Sequence, residues 1–252
     1  MEDATERFSS RVADYISYRP GYPAPLLAYL VERYGLSSAH PLADVGSGTG
    51  LLTQLFLKNG NRVCGVEPNA KMRAAAETLL PSYADFISVD GRAEATTLAT
   101  HSVDWIVSGQ AFHWFDPVAT RREFIRILRP GGRVALVWND RCMDDPFQQA
   151  YEQFLLTHAP DYSQVNHRRV TLASLRDFFA PHGLDPATFD HSQVFDFEGL
   201  QGRLLSCSYA PTAEAASYGE MMAELRSLFN QYSYQGRLVF RYITRLHCAQ
   251  LS

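Results

Sequence analysis

Only four cysteines occur in the chain, Cys64, Cys142, Cys207 and Cys248, far apart and with no CxxC pair. That spacing argues against a disulfide scaffold or a zinc site, and for buried thiols in a reducing cytoplasm. Positive charge is not in excess either. Lys and Arg number 23 against 27 Asp and Glu, a net charge of −4, so no global basic field recruits nucleic acid. No apolar run approaches the ~18 residues a membrane span needs. The acidic, polar start MEDATERFSS has no apolar core for a signal peptide. Long linkers, repeats and low-complexity tracts are lacking as well. So are GxSxG, HExxH and GxxxxGK, which removes a nucleophile elbow, a zinc helix and a P-loop from consideration. What is left is a 252-residue chain of ordinary globular composition, long enough for one large core.

The segment LADVGSGTG, Leu42–Gly50, is the most informative stretch present. A short apolar run ends in Asp44, and Gly46, Gly48 and Gly50 follow at alternate positions, with Ser47 between the first two. A helix-like stretch starts at once. Strand, glycine turn, helix is how an α/β domain brings backbone close to a nucleotide-like ligand. Glu67 stands 21 residues after Gly46, at the end of the next strand-like run, VCGVEP. An acid at that distance accepts hydrogen bonds from both ribose hydroxyls. A dinucleotide fingerprint, GxGxxG, needs glycine where Leu51 stands, so an NAD oxidoreductase is disfavoured. Asp44 would repel a diphosphate but supports an ammonium group. A cationic ligand with adenosine at one end fits S-adenosylmethionine better than NAD. These residues resemble the class I S-adenosylmethionine-dependent methyltransferases, whose first motif is an acid followed by GxGxG.

The chain alternates short β-like and longer helix-like segments, the pattern of a parallel sheet with helices on both faces. A helical region runs to about Gly35. Strands are expected at Leu42–Val45, Arg62–Val66, Asp85–Val89, Val103–Ser108 and Arg133–Trp138. Helices are expected at Gly50–Lys58, from Asn69, which can cap one, and from Pro117 to Leu128. RPGG at Arg129–Gly132 signals a turn. Further on, Pro146–His158, Leu172–Phe179, Leu200–Ser206 and Thr212–Tyr232 read as helices, with strands at Ser192–Phe197 and Arg237–His247. The resemblance implies a Rossmann-like α/β fold: seven strands, mostly parallel, with an antiparallel last strand. One domain is expected, with residues 1–40 as a helical lid and 41–140 as the cofactor-binding core. Residues 141–252 supply substrate-side helices and closing strands. About Leu200–Ser233 is longer than a hairpin needs and is a candidate cap over the site.

Further contacts follow from the motifs. Pro68 and Met72 are candidates near the adenosine, Met72 alternatively being ordinary helix packing. In SVDGRAEATTL, Gly91, Ala93 and Glu94 match the family's GxAE, but Arg92 occupies the usual place of an acid. The adenine is then expected to rest on backbone around Ala93, with the Arg92 guanidinium able to stack on the ring. SVDWIVSGQAFHWFD is the second signature. Gln110 lies at the C-terminal end of a strand, where open α/β sheets bind ligands. The FHWFD loop with its upstream Gln resembles a type 11 subgroup of small-molecule methyltransferases related to trans-aconitate methyltransferase. His113 is either the general base, its ordinary pKa near 6.5 suiting proton removal, or a residue that orients the loop. Trp114 and Phe115 either wall the transfer site or pack.

The N-terminal segment RFSSRVADYISYRPGYP is the third signature. The resemblance implies a lid with Tyr15 and Arg19 facing the pocket, Arg19 pairing the methionine carboxylate or an acidic substrate. Asn139, Arg141 and Tyr209 are candidates for substrate contact, and no metal ligand set is visible. His167, Arg168 and Arg169 form a basic cluster read as a solvated loop. The implied activity is methyl transfer from S-adenosylmethionine to a small molecule, an acidic metabolite first. A quinone-type C-methyltransferase and a non-catalytic S-adenosylmethionine-binding protein are the alternatives. The expected state is a monomer or homodimer in the cytoplasm, with neither nucleic acid nor membrane as partner.

Overall fold

The computed structural model describes residues 17–162 and 170–251. Tyr15 and the cluster His167, Arg168 and Arg169 lie outside them. Seven strands form one sheet: β1 (Leu42–Val45), β2 (Val63–Val66), β3 (Phe86–Val89), β4 (Val103–Gly109), β5 (Leu128–Arg141), β6 (Asp185–Phe195) and β7 (Leu238–Gln250). Their order is β3-β2-β1-β4-β5-β7-β6. Pairs among β1 to β5 are parallel, and β7 runs antiparallel to both neighbours. The order reverses between β1 and β4, which opens a crevice above their C-terminal ends.

Period-two alternation sorts the strand residues onto two faces. Ala43, Val45, Ile106, Val134 and Leu136 pack with Phe124 and Ile127 of α4 (Pro117–Ile127) and with Leu175, Phe178 and Phe179 of α6 (Leu172–Phe179). Leu42, Trp105, Val107 and Val137 face the other way. They meet Leu26 and Leu30 of α1 (Ala24–Tyr34) and Leu52 and Phe56 of α2 (Leu51–Lys58). Both faces are buried, so these strands read as continuous apolar runs. Helix α3 (Ala70–Leu79) begins where Asn69 Oδ1 accepts the backbone N–H groups of Lys71 and Met72.

A third apolar cluster lies at the far end of β6 and β7. There α5 (Pro146–His158), α7 (Phe197–Leu205) and α8 (Tyr218–Tyr232) pack on Phe195, Leu238, Phe240 and Tyr242.

Three boundaries differ most from the sequence expectation. Strand β5 starts at Leu128, and RPGG is a bulge within it rather than a turn before it. Val103 pairs Leu128 and Trp105 pairs Arg133, so Asp104 alone opposes the four bulged residues, and Gly131 takes φ +84°. Strand β6 starts seven residues before Ser192, despite Pro186. It is an edge strand, where a missing N–H is tolerated. Residues 212–217 are turns, and α8 begins at Tyr218.

Candidate active site

The glycine turn between β1 and α2 is left-handed at all three glycines, with φ of 72°, 56° and 86° at Gly46, Gly48 and Gly50. At Gly46 a Cβ would fall 2.5 Å from the Ala111 methyl and 3.2 Å from the Phe115 ring. At Gly48 it would meet nothing within 4 Å, so that glycine leaves an open face rather than relieving a clash. Helix α2 starts beyond the turn with no side-chain cap, leaving N–H groups available to a ligand.

Two acids flank this turn. Asp44 shares the α2 face of β1 and is fully buried. Its Oδ2 accepts the Thr53 hydroxyl at 2.6 Å, while its Oδ1 is buried with no partner among the described residues. Burial pushes its pKa up to about 7, against the Thr53 hydrogen bonds. Glu67 ends β2. One carboxylate oxygen accepts Gly48 N–H at 3.0 Å and the other Asn69 N–H at 2.9 Å. Burial raises its pKa, and those two N–H groups oppose the shift. Each oxygen keeps a lone pair for a further donor. Glu67 thus ties the glycine turn to the end of the neighbouring strand.

The turn opens on a cavity of about 320 Å³. Asp44, Gly46, Ser47 and Gly48 form one wall. Gln110, His113 and Trp114 come from the loop after β4. Gln110 is itself left-handed, φ 57°, and its side-chain amide donates to the Asn139 carbonyl at 2.9 Å. A non-glycine residue in that conformation stores roughly 1 kcal/mol or more, held by its neighbours. His113 lies in a single 3₁₀ turn (Phe112–Trp114), its ring 4.9 Å from that of Trp114.

Asn139 and Arg141 continue the wall from the end of β5. The Asn139 amide donates to the Gly21 carbonyl at 3.0 Å, and its oxygen accepts from Thr244 at 2.6 Å. Arg141 is paired with Glu152 and donates to the Tyr162 hydroxyl, which donates in turn to Glu152. Arg19 and, from the cap, Tyr209 also line it as expected, and Tyr22 joins them without having been expected.

Other expected residues do not line this cavity. Met72 and Ala93 are buried, Ala93 within the apolar cluster on the α4 and α6 face of the sheet. Glu94 accepts the Asp116 N–H at 2.9 Å, tethering two loops. Phe115 packs on Phe112 beneath Gly46. Gly50 faces Leu80, and Glu67 and Pro68 are not among the lining residues, although Glu67 accepts from Gly48 on the wall. Sequence reasoning missed Arg203, Tyr162 and Arg245, all on the wall. For Arg203 there was a signal: Leu200, Arg203, Leu204 and Cys207 share a helical face, and that face is buried.

Sheet order, glycine turn and the acids at two adjacent strand ends define a Rossmann-like methyltransferase fold. A family model for the methyltransferase domain, type 11, matches residues 43–136. An uncharacterised methyltransferase of Mycobacterium tuberculosis, Rv3342, is 37% identical over 139 residues, 55% of this chain and 54% of that protein. One from Geobacillus kaustophilus, GK2543, is 30% identical over 159 residues, 60% of this chain and 72% of that protein. The match thus spans about half the length of the mycobacterial relative. The solved structure of a candidate type II methyltransferase from Anaeromyxobacter dehalogenans superposes with a TM-score of 0.72 at 22% identity. It covers 93% of this chain and 98% of that one. The chain belongs to the S-adenosylmethionine-dependent methyltransferase family, and S-adenosylmethionine is its cofactor. The donor set suits that group: an unsatisfied buried carboxylate for a cation, an open glycine face, and an oriented acid for a diol. No cluster of metal-ligating side chains occurs among the described residues, and no helix among them is long and apolar enough to cross a membrane.

Proposed function

We propose that this protein transfers a methyl group from S-adenosylmethionine to a small-molecule acceptor held in the 320 Å³ cavity. The volume is in the range of small-ligand pockets. The cofactor's sulfonium supplies an already activated methyl carbon, so the protein must bind, aim and exclude water. Asp44 carries the reading. A fully buried carboxylate with one oxygen unsatisfied is costly unless a cation comes to it. In this assignment Asp44 meets the ammonium group, and backbone from Gly46 to Gly50 lies along the ligand. Glu67 takes the ribose hydroxyls, Pro68 and Met72 border the adenosine, and backbone near Ala93 and Glu94 receives the adenine.

His113 is placed to take the acceptor's proton; the cofactor, when bound, would supply the methyl carbon and leave as the neutral thioether S-adenosylhomocysteine as its carbon–sulfur bond breaks. It stands on the cavity wall beside Trp114. Arginines on the opposite wall favour an acidic acceptor over a quinone, in keeping with the resemblance to the trans-aconitate-methylating subgroup. Four free thiols support a reducing, cytoplasmic setting, and the protein acts as a monomer or homodimer.

The test is an acceptor screen with isotopically labelled cofactor, read by mass spectrometry. A labelled product is expected. His113→Ala is expected to lower turnover about 10²-fold or more while S-adenosylhomocysteine still binds. Full turnover in that variant would dispose of the base assignment.

A further inference from the structure

The cavity wall away from the glycine turn is cationic in a chain whose net charge is −4. Arg19, Arg141, Arg203 and Arg245 all reach it. Two of these charges are matched by acids. Arg245 holds Asp140 at 2.6 Å, and Arg141 is paired with Glu152. Arg203 has no acid. It projects from α7 with 7% of its surface exposed, and no carboxylate among the described residues lies within ion-pair distance. Its Nε donates to the Tyr242 hydroxyl at 3.0 Å and its Nη1 to the Cys207 sulfur at 3.0 Å. The rings of Phe240 and Tyr242 lie 5.6 and 5.9 Å from its guanidinium carbon. Among the described residues, no acceptor takes Nη2. Arg141 contributes a second open donor, since its Nη1 is buried and unpartnered among the described residues.

A guanidinium does not shed its proton to escape burial. Desolvating it costs several kcal/mol, and an ionised Cys207 offsets that cost at Nη1 alone. The local field is strong enough to act on a neighbour. Burial alone would raise the Cys207 thiol, but Arg19 and Arg203, with a Tyr209 hydrogen bond, outweigh it and leave the thiol at about 6. A sulfur at one nitrogen does not fill the planar fork that carboxylates and phosphates match.

We infer that Arg203, with Arg141 on the lining of the same cavity, is a receptor for an anionic oxygen group of the methyl acceptor, and so determines which acceptors enter. The inference rests on the methyl-transfer reading above, since it names the class of molecule that fills the same cavity. The anion held there is the acceptor's carboxylate or phosphate, since the reading above places the cofactor's amino-acid end at the glycine turn with its ammonium group on Asp44.

Acetate, succinate, inorganic phosphate and the neutral succinamide serve as probes, titrated calorimetrically into wild-type protein saturated with S-adenosylhomocysteine. At least one anion is expected to bind once per chain and succinamide not to bind. Succinate or acetate would mark a carboxylate site, phosphate a phosphoryl site, and either supports the receptor. In Arg203→Met that anion is expected to bind at least tenfold more weakly, while S-adenosylhomocysteine binds within about twofold of wild type.

The receptor is overturned if no anion binds the wild type, if the anion binds Arg203→Met unchanged, or if that folded variant loses S-adenosylhomocysteine instead. Should Arg203→Met not fold, Arg203→Lys keeps the charge but not the fork. It is expected to weaken the anion about tenfold, and unchanged affinity there overturns the receptor too. Failure of wild type to bind S-adenosylhomocysteine at all is a separate result, and it strikes the methyl-transfer reading itself.

Discussion

Asp44 and Cys207 are both acids in the fully buried interior, and their surroundings drive them in opposite directions. Asp44 has one hydroxyl donor and no cation, so burial lifts it to about 7. Cys207 lies beside two arginines and is lowered to about 6. For Asp44 the sign is clear. The folded state holds the proton more tightly than the unfolded chain, whose value is near 3.8. Its favourable contribution to stability is therefore complete at low pH and is lost as pH rises from about 4 through about 7. An ammonium placed beside it must first drive that proton off. S-adenosylhomocysteine affinity is accordingly expected to climb with pH up to about 7, by at most about tenfold per unit, and then level. Calorimetry across that range should find the climb in wild type and a flat profile in Asp44→Asn. A flat wild-type profile removes Asp44 from the cation site.

Among the secondary-structure elements, α4 shows how local chemistry positions the site. Asp116 caps it, accepting from Val118 and Ala119 at 2.9 and 2.8 Å, with Pro117 at the first helical position. That cap fixes where the FHWFD loop ends. Asp116→Ala is expected to cost about 1 kcal/mol in urea unfolding. Two turns on, Glu123 accepts from Thr96 and from the Arg126 fork, joining the helix to the loop that follows β3. The Arg126 hydrogen bonds hold its carboxyl at about 2, against burial. Its stabilisation is full above the unfolded value of about 4.5 and fades as pH falls towards 2. Urea midpoints at about pH 6 and about pH 3 should differ less in Glu123→Gln than in wild type. Equal pH dependence in the two proteins would show that Glu123 does not contribute to acid sensitivity.

Most of this order is legible in the sequence, for stated reasons. Asn69 and Asp116 are helix caps, Gly46 and Gly48 cannot be replaced without strain, and β1, β2 and β4 are apolar runs ending at glycine or acid. Where local signals mislead, tertiary pairing has overruled them. RPGG looks like a turn because a bulge uses the same residues. Pro186 hides the start of β6 because edge position is a property of the sheet and not of the segment.

Taken together, the cavity is built from three regions remote in sequence. The strap at residues 17–23 crosses from core to cap. Tyr18 packs against Gly202, Arg19 donates to the Ser206 carbonyl at 3.1 Å, and Asn139 reaches the Gly21 carbonyl. Tyr22 lies over Gly109 at the end of β4. Acceptor-side residues such as Arg203 and Tyr162 were illegible in advance for this reason. The helical face of Arg203 says that it is buried, but only the assembled β6–β7 platform says what it faces. The proposed cofactor side was legible because the residues assigned to it come mostly from one turn and two strand ends.

The most direct test is a calorimetric titration of S-adenosylhomocysteine into wild-type protein and into Glu67→Ala. The prediction is one site per chain in the wild type, weakened roughly tenfold to a hundredfold without the Glu67 carboxylate, the worth of charge-assisted hydrogen bonds to a diol. No heat from this compound with heat from NAD, or equal affinity in both proteins, would contradict the assignment.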